Sequence, residues 1–467
     1  MEKEPAVPQD MNHLFEKEVT RRQIMKYLGS GLASLGLLNL SFPESVFGSQ
    51  KKPNIIFILS DDHRWDMLSC LNHPVVQTPN MDRLANEGVL FENAFVTTSL
   101  CSPSRASFLT GQYAHNHGVK NNLTPWNNDN VTFLEQIKAA GYDTGFIGKW
   151  HMPGTFPQLR GIDRFVTFTV DGGQGRYFNC PLIVDGQQIN SRKPYITEEL
   201  TDYALDFISE KRHQPFCLYL SHKAVHYQFF PPPEFDHRYD NAALPLPKEA
   251  DSWVGITNGN LYPQPLGALY RNYCECLEAL DQQTGRLLKK LDELGMSNDT
   301  IIIYAGDNGF FFGEHHQIDK RWAYEESIRI PFIVRYPGLI EDPGRRAAQM
   351  VLNIDLAPTL LEIAGIPANG NIDGRSLVSV LKNKDTLGRE AWLYEFFKDY
   401  PYSVPEQFAL RTERYKYIEF PGGRKSELYD LVKDPRENHN LISNPRGEAV
   451  LPELKNRLDN LKKGARP

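Results

Sequence analysis

The sequence predicts an α/β fold, in which a large, mostly parallel mixed sheet is sandwiched by helices and followed by a small antiparallel sheet. Two observations lead to this prediction. Continuous apolar, β-branched runs alternate with stretches that have the apolar spacing of amphipathic helices. After about residue 373 the pattern changes to short alternating runs joined by turn residues, which is typical of antiparallel strands.

Four of the apolar runs are predicted to be buried parallel strands, and each ends in polar side chains. The runs cover residues 54–60, 144–148, 216–221 and 300–306. The side chains that follow are, in that order, Asp61 and Asp62, Lys149 and His151, His222 and His226, and Asp307 and Asn308. Because ligands bind beyond the carboxyl ends of parallel strands, we expect these side chains to line one site.

The stretches between these strands are predicted to be helices. Residues 132–140 precede Gly141, residues 198–212 carry an apolar side, and the longer stretch 269–294 stops at Gly295. The alternation of strands with helices favours a parallel sheet.

A further helix is predicted beside Cys101, in the pentapeptide CSPSR of residues 101–105. Pro103 suits a first helical turn, where its missing N–H does no harm, and Gly111 suits the end of the helix. Cys101 would then lie at the positive end of the helix dipole, where an anion is favoured. By itself this leaves two interpretations open, a reactive cysteine or an inert small apolar residue.

The strand-end pairs Asp61-Asp62 and Asp307-Asn308 together predict a divalent cation site. Three carboxylates at one sheet edge would raise one another's pKa unless a cation offset their charge. Ligands that are all oxygen favour calcium or magnesium over zinc. Each pair alone is more typical of a turn or a helix cap, so the prediction of a metal site depends on their convergence.

The overall composition is that of a globular protein. The chain has 467 residues and a net charge of −7, with 41% hydrophobic and 23% charged residues. This mildly acidic balance argues against nucleic acid as a partner, although a local cluster of cations can still bind a small anion. Six scattered cysteines do not suggest a disulfide framework.

The N-terminus, residues 1–48, is predicted to be a twin-arginine-like export signal that is removed. Arg21 and Arg22 precede an apolar run over residues 27–40 and a small-residue site near Gly48. That run is too short for a stable membrane anchor, so the protein is expected to be exported, to the periplasm or the medium. An ordinary N-terminal helix with two surface arginines is the alternative.

The motifs resemble the signatures of the type I sulfatases, in the alkaline-phosphatase-like superfamily. The resemblance is carried by CSPSR followed by Thr110-Gly111, by Asp61-Asp62, by GKWH at residues 148–151 and by DNG at residues 307–309. It runs from about residue 53 into the C-terminal part. It implies a sulfuric ester hydrolase, with a catalytic domain over residues 49–372 and an α+β subdomain over residues 373–467, where a small sheet and a packed helix from Pro452 complete the pocket.

The resemblance also implies a cofactor and a set of roles. In that family a maturation enzyme oxidises the cysteine to Cα-formylglycine, and one calcium ion lies beside it. By resemblance, the calcium ligands are Asp61, Asp62, the modified Cys101, Asp307 and Asn308. Arg105 and Lys149 would hold the formylglycine hydrate, His151 would handle its proton, and His226 and Lys320 would bind the sulfate oxygens. His222 is left outside this set, and His315 and His316 either border the substrate or form a surface pair.

These residue types suit the chemistry of a sulfate monoester. An aldehyde hydrate provides an oxygen nucleophile that calcium can acidify, and its second hydroxyl can be deprotonated to expel sulfate. The cationic side chains would offset charge on the equatorial oxygens.

The substrate is predicted less specifically. Residues 114–119 (AHNHGV) are similar to the branch with N-acetylglucosamine-6-sulfatases and other exported polysaccharide sulfatases. This favours a sulfated carbohydrate, with N-acetylglucosamine 6-sulfate as the candidate, over an aryl sulfate. The alternatives are a phosphodiesterase or phosphonate hydrolase of the same superfamily and a non-catalytic glycan-binding relative with unmodified Cys101.

Overall fold

The computed structural model describes residues 52–154, 160–246, 255–257, 260–262, 264–368 and 371–464, and the predicted export signal over residues 1–48 lies outside them. The strands are β1 (Asn54–Ser60), β2 (Val89–Phe95), β3 (Asp143–Gly148), β4 (Arg164–Thr167), β5 (Leu182–Val184), β6 (Gln187–Ile189), β7 (Phe216–Ser221), β8 (Gly255–Thr257), β9 (Asn260–Tyr262), β10 (Thr300–Gly306), β11 (Phe311–Phe312), β12 (Ile318–Asp319), β13 (Phe332–Arg335), β14 (Arg345–Leu352), β15 (Ala391–Phe396), β16 (Gln407–Thr412), β17 (Tyr415–Glu419) and β18 (Glu427–Asp430). The α-helices are α1 (Pro79–Asn86), α2 (Cys101–Thr110), α3 (Ala114–His117), α4 (Phe133–Ala139), α5 (Ile196–Ser209), α6 (Leu266–Glu293), α7 (Glu325–Ile328), α8 (Leu356–Ile363), α9 (Val378–Lys382) and α10 (Pro445–Lys462).

The central sheet has ten strands in the order β14-β2-β13-β10-β1-β7-β3-β4-β5-β6. The four predicted strands, β10, β1, β7 and β3, are neighbours in it and run parallel. Beyond β10 the sheet is mixed, because β13 pairs antiparallel with both β10 and β2. The register pairs Ser60 with Gly306 and Gly148 with Ser221, so these strands end at one edge. The predicted fold class is confirmed.

Alternate residues of β1 face different helices, which explains its uninterrupted apolar sequence. Ile56 and Ile58 belong to the core cluster that contains Leu277 of α6. The residue between them, Phe57, lies with its ring 5.2 Å from that of Phe108 in α2. Because both faces are covered, the interior positions 55–59 of the strand favour apolar side chains.

The C-terminal part contains the antiparallel sheet β15-β16-β17-β18. One face packs on α10 through residues such as Leu393 and Leu458. The other face packs on the main body, where the ring of Trp392 lies 5.1 Å from that of Phe95. Helix α10 begins at Pro445, whereas the sequence placed its start at Pro452, which is inside the helix. The division at residue 372 stays a prediction.

Among the described residues, no helix combines the length and apolar character needed to cross a membrane.

Candidate active site

The acidic side chains predicted from two strand ends lie together beyond the edge of the sheet. The backbone N–H of Asp62 donates to Asp307 Oδ1 over 2.9 Å, and Asn308 Nδ2 donates to Asp62 Oδ1 over 2.7 Å. Asp61, Asp62 and Asp307 offer carboxylate oxygens that lie within 4.8 Å of one another, and all three side chains are buried. The structure therefore brings the three predicted carboxylates and Asn308 to one point.

Cys101 is the first residue of helix α2 and is fully buried against this acidic cluster. The helix begins there because Leu100 is extended and Pro103 fits the first turn, and it ends at Gly111 in a left-handed conformation with φ 70°. The thiol lies 3.5 Å from Asp61 Oδ1, while Lys320 Nζ lies 3.0 Å from the sulfur. Burial raises the pKa of this thiol to about 12, although Lys149 and Lys320 act to lower it.

Three cationic side chains surround the cluster. Lys149 contacts the carboxylate of Asp61, and its Nζ lies 3.9 Å from the Cys101 sulfur. Lys320 contacts Asp62. Arg105 places Nη2 2.8 Å from Asp307 Oδ2. The predicted cations thus lie among the predicted anions, within reach of position 101.

Arg105 is held by the backbone as well as by charge. Its Nη1 donates to the carbonyl of Lys149 over 2.9 Å and to Ser221 Oγ over 2.5 Å. Ser221 Oγ in turn donates to the same carbonyl over 2.8 Å. Helix α2 is thereby connected to the ends of β3 and β7.

The carboxyl groups differ in their protonation behaviour. Burial acts to raise the pKa of Asp61, but the charges of Lys149 and Arg105 bring it well below its usual range. Burial raises the pKa of Asp62 to about 7; Lys320 opposes this rise, while the charges of Asp61 and Asp307 add to it. Burial and the charge of Asp61 also raise the pKa of Asp307.

This donor set fits a hard divalent cation. Its ligand atoms are oxygens, and the buried Asn308 Oδ1 accepts no hydrogen bond from the described residues. A bound cation would offset the mutual repulsion of the three carboxylates. Calcium is the ion that the family resemblance implies.

Two predicted histidines also reach the site. His226 Nε2 lies 4.0 Å from Asp62 Oδ2. The backbone carbonyl of His151 accepts the hydroxyl of Ser102 over 2.5 Å. Burial, followed by the charge of Lys149, lowers the pKa of both imidazoles well below the usual value, which keeps them neutral.

For the other predicted histidines, His222, His315 and His316, the described residues show no hydrogen bond or ion pair with Asp61, Asp62 or Asp307. His222 is buried, and its backbone N–H donates to the carbonyl of Leu59. The ring of His315 stacks on Tyr324 with centroids 3.9 Å apart, and its Nε2 lies 3.5 Å from Glu326 Oε2. It is therefore enclosed by other side chains rather than part of a surface pair.

Sequence reasoning missed two contacts of the site. Gln174 Oε1 accepts a hydrogen bond from Lys149 Nζ over 2.6 Å, but it follows the glycine-rich turn Asp171–Gly173, and no motif marks it. Ser221, which holds Arg105, is the last residue of a predicted strand. The rule that located Asp61 and Asp307 would have found it.

Comparison with known proteins identifies the family. Residues 53–366 match the sulfatase family, and residues 313–464 match the family described as N-sulphoglucosamine sulphohydrolase, C-terminal. The chain belongs to the sulfatase family. It is a sulfuric ester hydrolase of the alkaline-phosphatase-like fold.

Several sulfatases are similar to this chain over most of its length. An N-acetylglucosamine-6-O-sulfatase of Bacteroides thetaiotaomicron is 32% identical, with 88% of this chain and 86% of that protein covered. Human N-acetylglucosamine-6-sulfatase is 30% identical, with 79% of this chain and 72% of that protein covered. A solved complex with D-glucosamine-2-N,6-O-disulfate, described as that protein's substrate, superposes with a TM-score of 0.82 at 31% identity, covering 88% of this chain and 98% of the other.

Phosphonate monoester hydrolase of Agrobacterium radiobacter shares the fold. It superposes with a TM-score of 0.74 at 24% identity, with 88% of this chain and 96% of that chain covered.

Proposed function

We propose that this sulfatase hydrolyses sulfate esters of glycans, with N-acetylglucosamine 6-sulfate as the substrate, and that Cys101 acts after oxidation to Cα-formylglycine beside a calcium ion. The observation that carries the proposal is the position of Cys101, between three buried carboxylates and the cations Lys149 and Lys320. The substrates named for the similar Bacteroides and human enzymes support the choice of glycan.

The surroundings of Cys101 also argue against the unmodified thiol as the nucleophile. A buried thiol whose pKa is raised to about 12 is a poor nucleophile, because the thiolate is the reactive form. The formylglycine hydrate would supply an oxygen nucleophile, and calcium held by Asp61, Asp62, Asp307 and Asn308 would offset negative charge there. The helix N-terminus at Cys101 adds a favourable field for an anion.

The contacts of each side chain support the role that the family resemblance implies for it. Lys149 and Arg105 orient the group at position 101. The two residues are connected by a hydrogen bond from the Arg105 guanidinium to the backbone carbonyl of Lys149. Lys320, 3.0 Å from that position, and His226 bind the non-bridging sulfate oxygens. His151 is neutral and buried, so it can accept a proton during release of sulfate.

The proposal includes the route that the protein takes before it acts. Residues 1–48 would direct export and be removed, and a formylglycine-generating enzyme would be the maturation partner. Recovery of mature protein outside the cytoplasm with an N-terminus near Ser49 would support this route. Accumulation of the unprocessed chain in the cytoplasm would contradict it.

The test compares sulfate release from N-acetylglucosamine 6-sulfate with phosphate release from the 6-phosphate, using protein produced together with the maturation enzyme. The sulfate ester should turn over faster, and Cys101→Ala should be inactive. A calcium chelator should abolish activity, and added calcium should restore it. Faster phosphate hydrolysis would favour a phosphohydrolase, and full activity of Cys101→Ala would exclude the proposed nucleophile.

A further inference from the structure

A cavity of about 540 Å³ opens beside the candidate active site. The residues that border it include Gln174, Tyr177, Phe178, Lys223, His226 and Phe230. Two of them connect it to the reaction centre, since Gln174 accepts a hydrogen bond from Lys149 and His226 lies near Asp62. A substrate whose sulfate lies at Cys101 would extend its organic part into this cavity.

Lys223 is the unusual residue of this cavity. Its side chain is only 4% exposed, and among the described residues no carboxylate forms an ion pair with its ammonium group. Its Nζ lies 5.0 Å from the centroid of the Tyr177 ring. A buried cation without a paired anion is unfavourable, so an anionic ligand would stabilise this arrangement.

The charges around Lys223 support the same conclusion. Burial, followed by the charge of Lys149, lowers its pKa to about 8, while Asp61 and Asp62 act to raise it. The nearby carboxylates are already in contact with Lys149 and Lys320. An added anion in the cavity would therefore find in Lys223 a cation that has no partner carboxylate of its own.

The other walls suit a sugar. Phe178 and Phe230 are 36% and 42% exposed, and their rings offer apolar faces at the opening. Arg176 also lies at the opening, where it is paired with Asp171 over 3.0 Å. The cavity thus combines an aromatic opening with a deep cation, Lys223, that has no ion pair with a carboxylate in the part of the chain that the structure describes.

We propose that Lys223 binds a second oxyanion of the substrate, so that the enzyme prefers glycans with another negative group beside the sulfate that is cleaved. This inference rests on the proposed function. The second group is a sulfamate on the same sugar or a carboxylate on the adjoining one, and both would present oxygens to the same ammonium group.

The test measures kcat/KM for three substrates that share a 6-sulfate: N-acetylglucosamine 6-sulfate, glucosamine 2-N,6-O-disulfate, and a disaccharide of N-acetylglucosamine 6-sulfate with a uronic acid. We expect the wild type to prefer one of the two doubly charged substrates, which identifies the source of the second anion. Lys223→Met should reduce that preference about tenfold or more, as the loss of a hydrogen bond between charged groups predicts. Lys223→Arg should retain much of it.

Arg176→Met is the matched control, because it removes a cation from the same cavity that already has a carboxylate partner. It should leave the preference within about twofold, as expected for an exposed ion pair. A wild type without preference would overturn the inference, whether or not Lys223→Met folds. So would an equal loss on all three substrates in Lys223→Met, which would place Lys223 at the cleaved sulfate. Failure of the wild type on every glycan would instead refute the proposed function, and the inference with it.

Discussion

Lys320 illustrates how a single side chain connects the carboxylate cluster of the candidate site to Cys101. Its ammonium group contacts the carboxylate of Asp62 and lies 3.0 Å from the sulfur of Cys101. The charge of Asp62 and the neighbouring anions raise the pKa of Lys320 well above its usual value in spite of its burial. The group is therefore a cation at neutral pH.

Replacement of Lys320 should impair catalysis. We expect Lys320→Met to lower kcat by about a hundredfold or more, because it removes one donor to the charge that develops on sulfate. Kinetics on N-acetylglucosamine 6-sulfate would measure this loss. Lys211→Met, which changes an exposed lysine, is the control and should retain activity. A Lys320→Met enzyme with wild-type kcat would exclude the proposed role.

A buried histidine away from the site gives a prediction about pH. His117 Nδ1 accepts the backbone N–H of Val119 over 3.1 Å, so the ring is neutral, and its Nε2 lies 3.1 Å from Ser107 Oγ. Burial, with a smaller effect of His115, lowers its pKa to about 3. The unfolded chain, with a histidine pKa of about 6.5, binds more protons between these two values. This contribution to stability is therefore complete above about pH 6.5 and is lost as the pH falls.

Thermal unfolding at a series of pH values measures that effect. The Tm of the wild type should decrease as the pH falls from about 6.5 towards 4. His117→Asn keeps an acceptor for Val119 but cannot gain a charge, so its Tm should depend less steeply on pH. Equal slopes for the two proteins would show that His117 does not contribute.

At the scale of secondary structure, the end of β3 shows how the sheet positions the chemistry. Gly148 has φ 117°, and a Cβ atom there would lie 1.7 Å from the carbonyl oxygen of Ser221. Only glycine allows β3 and β7 to approach this closely. The next residue, Lys149, donates its N–H to the same carbonyl over 2.8 Å, so this contact fixes where the lysine leaves the sheet.

Gly148→Ala should therefore separate the two strand ends and remove most of the activity. Gly141→Ala is the matched control, because Gly141 also has a positive φ of 90° but a Cβ there would meet nothing within 4 Å. The control should lose only the strain energy of about 1–3 kcal/mol. Urea unfolding and activity assays would compare them. Similar behaviour of the two variants would mean that the close approach at Gly148 is unimportant.

The strands also show which parts of the fold and of the site could be predicted from the sequence. β1, β7 and β10 were predictable because their residues are buried and all of their interior positions are apolar, with polar or glycine residues only at the ends. β2 was missed since Glu92 and Asn93 interrupt its apolar run, and β13 has only four residues. Side chains at strand ends, such as Asp61 and Asp307, were predictable from topology. Lys320 was predicted only from the family resemblance. Gln174 was predicted neither from topology nor from the resemblance. Both residues reach the site on loops, so the strand-end rule does not apply to them.

At the scale of the whole molecule, a buried charge network attaches the C-terminal sheet to the main body. Lys416 of β17 is fully buried, and its Nζ lies 2.9 Å from Glu325 Oε1 and 2.7 Å from Glu437 Oε1. Burial raises the pKa of Glu437 to about 7, although Lys416 opposes this, while Arg411 and Lys416 lower the pKa of Glu325 in spite of its burial.

Loss of the central cation should destabilise the whole protein. Lys416→Met would leave two buried carboxylates without a shared partner, at a cost of about 3–5 kcal/mol in the free energy of unfolding. Lys462→Met is the comparison, because Lys462 pairs with Glu419 at the surface. Its loss should lower the free energy of unfolding by less than about 1 kcal/mol. Chemical denaturation of both variants gives the two values. Equal losses would mean that burial of the network has no energetic importance.

The central claim is that Cys101 becomes the reactive group once it is oxidised among the carboxylates and cations described above. Mass spectrometry of the intact peptide that spans Cys101, from protein isolated from its own host, tests this directly. In active preparations we expect a peptide that is lighter than the cysteine form, because an aldehyde has replaced the thiol side chain. A fully active preparation in which every such peptide still carries the thiol would contradict it.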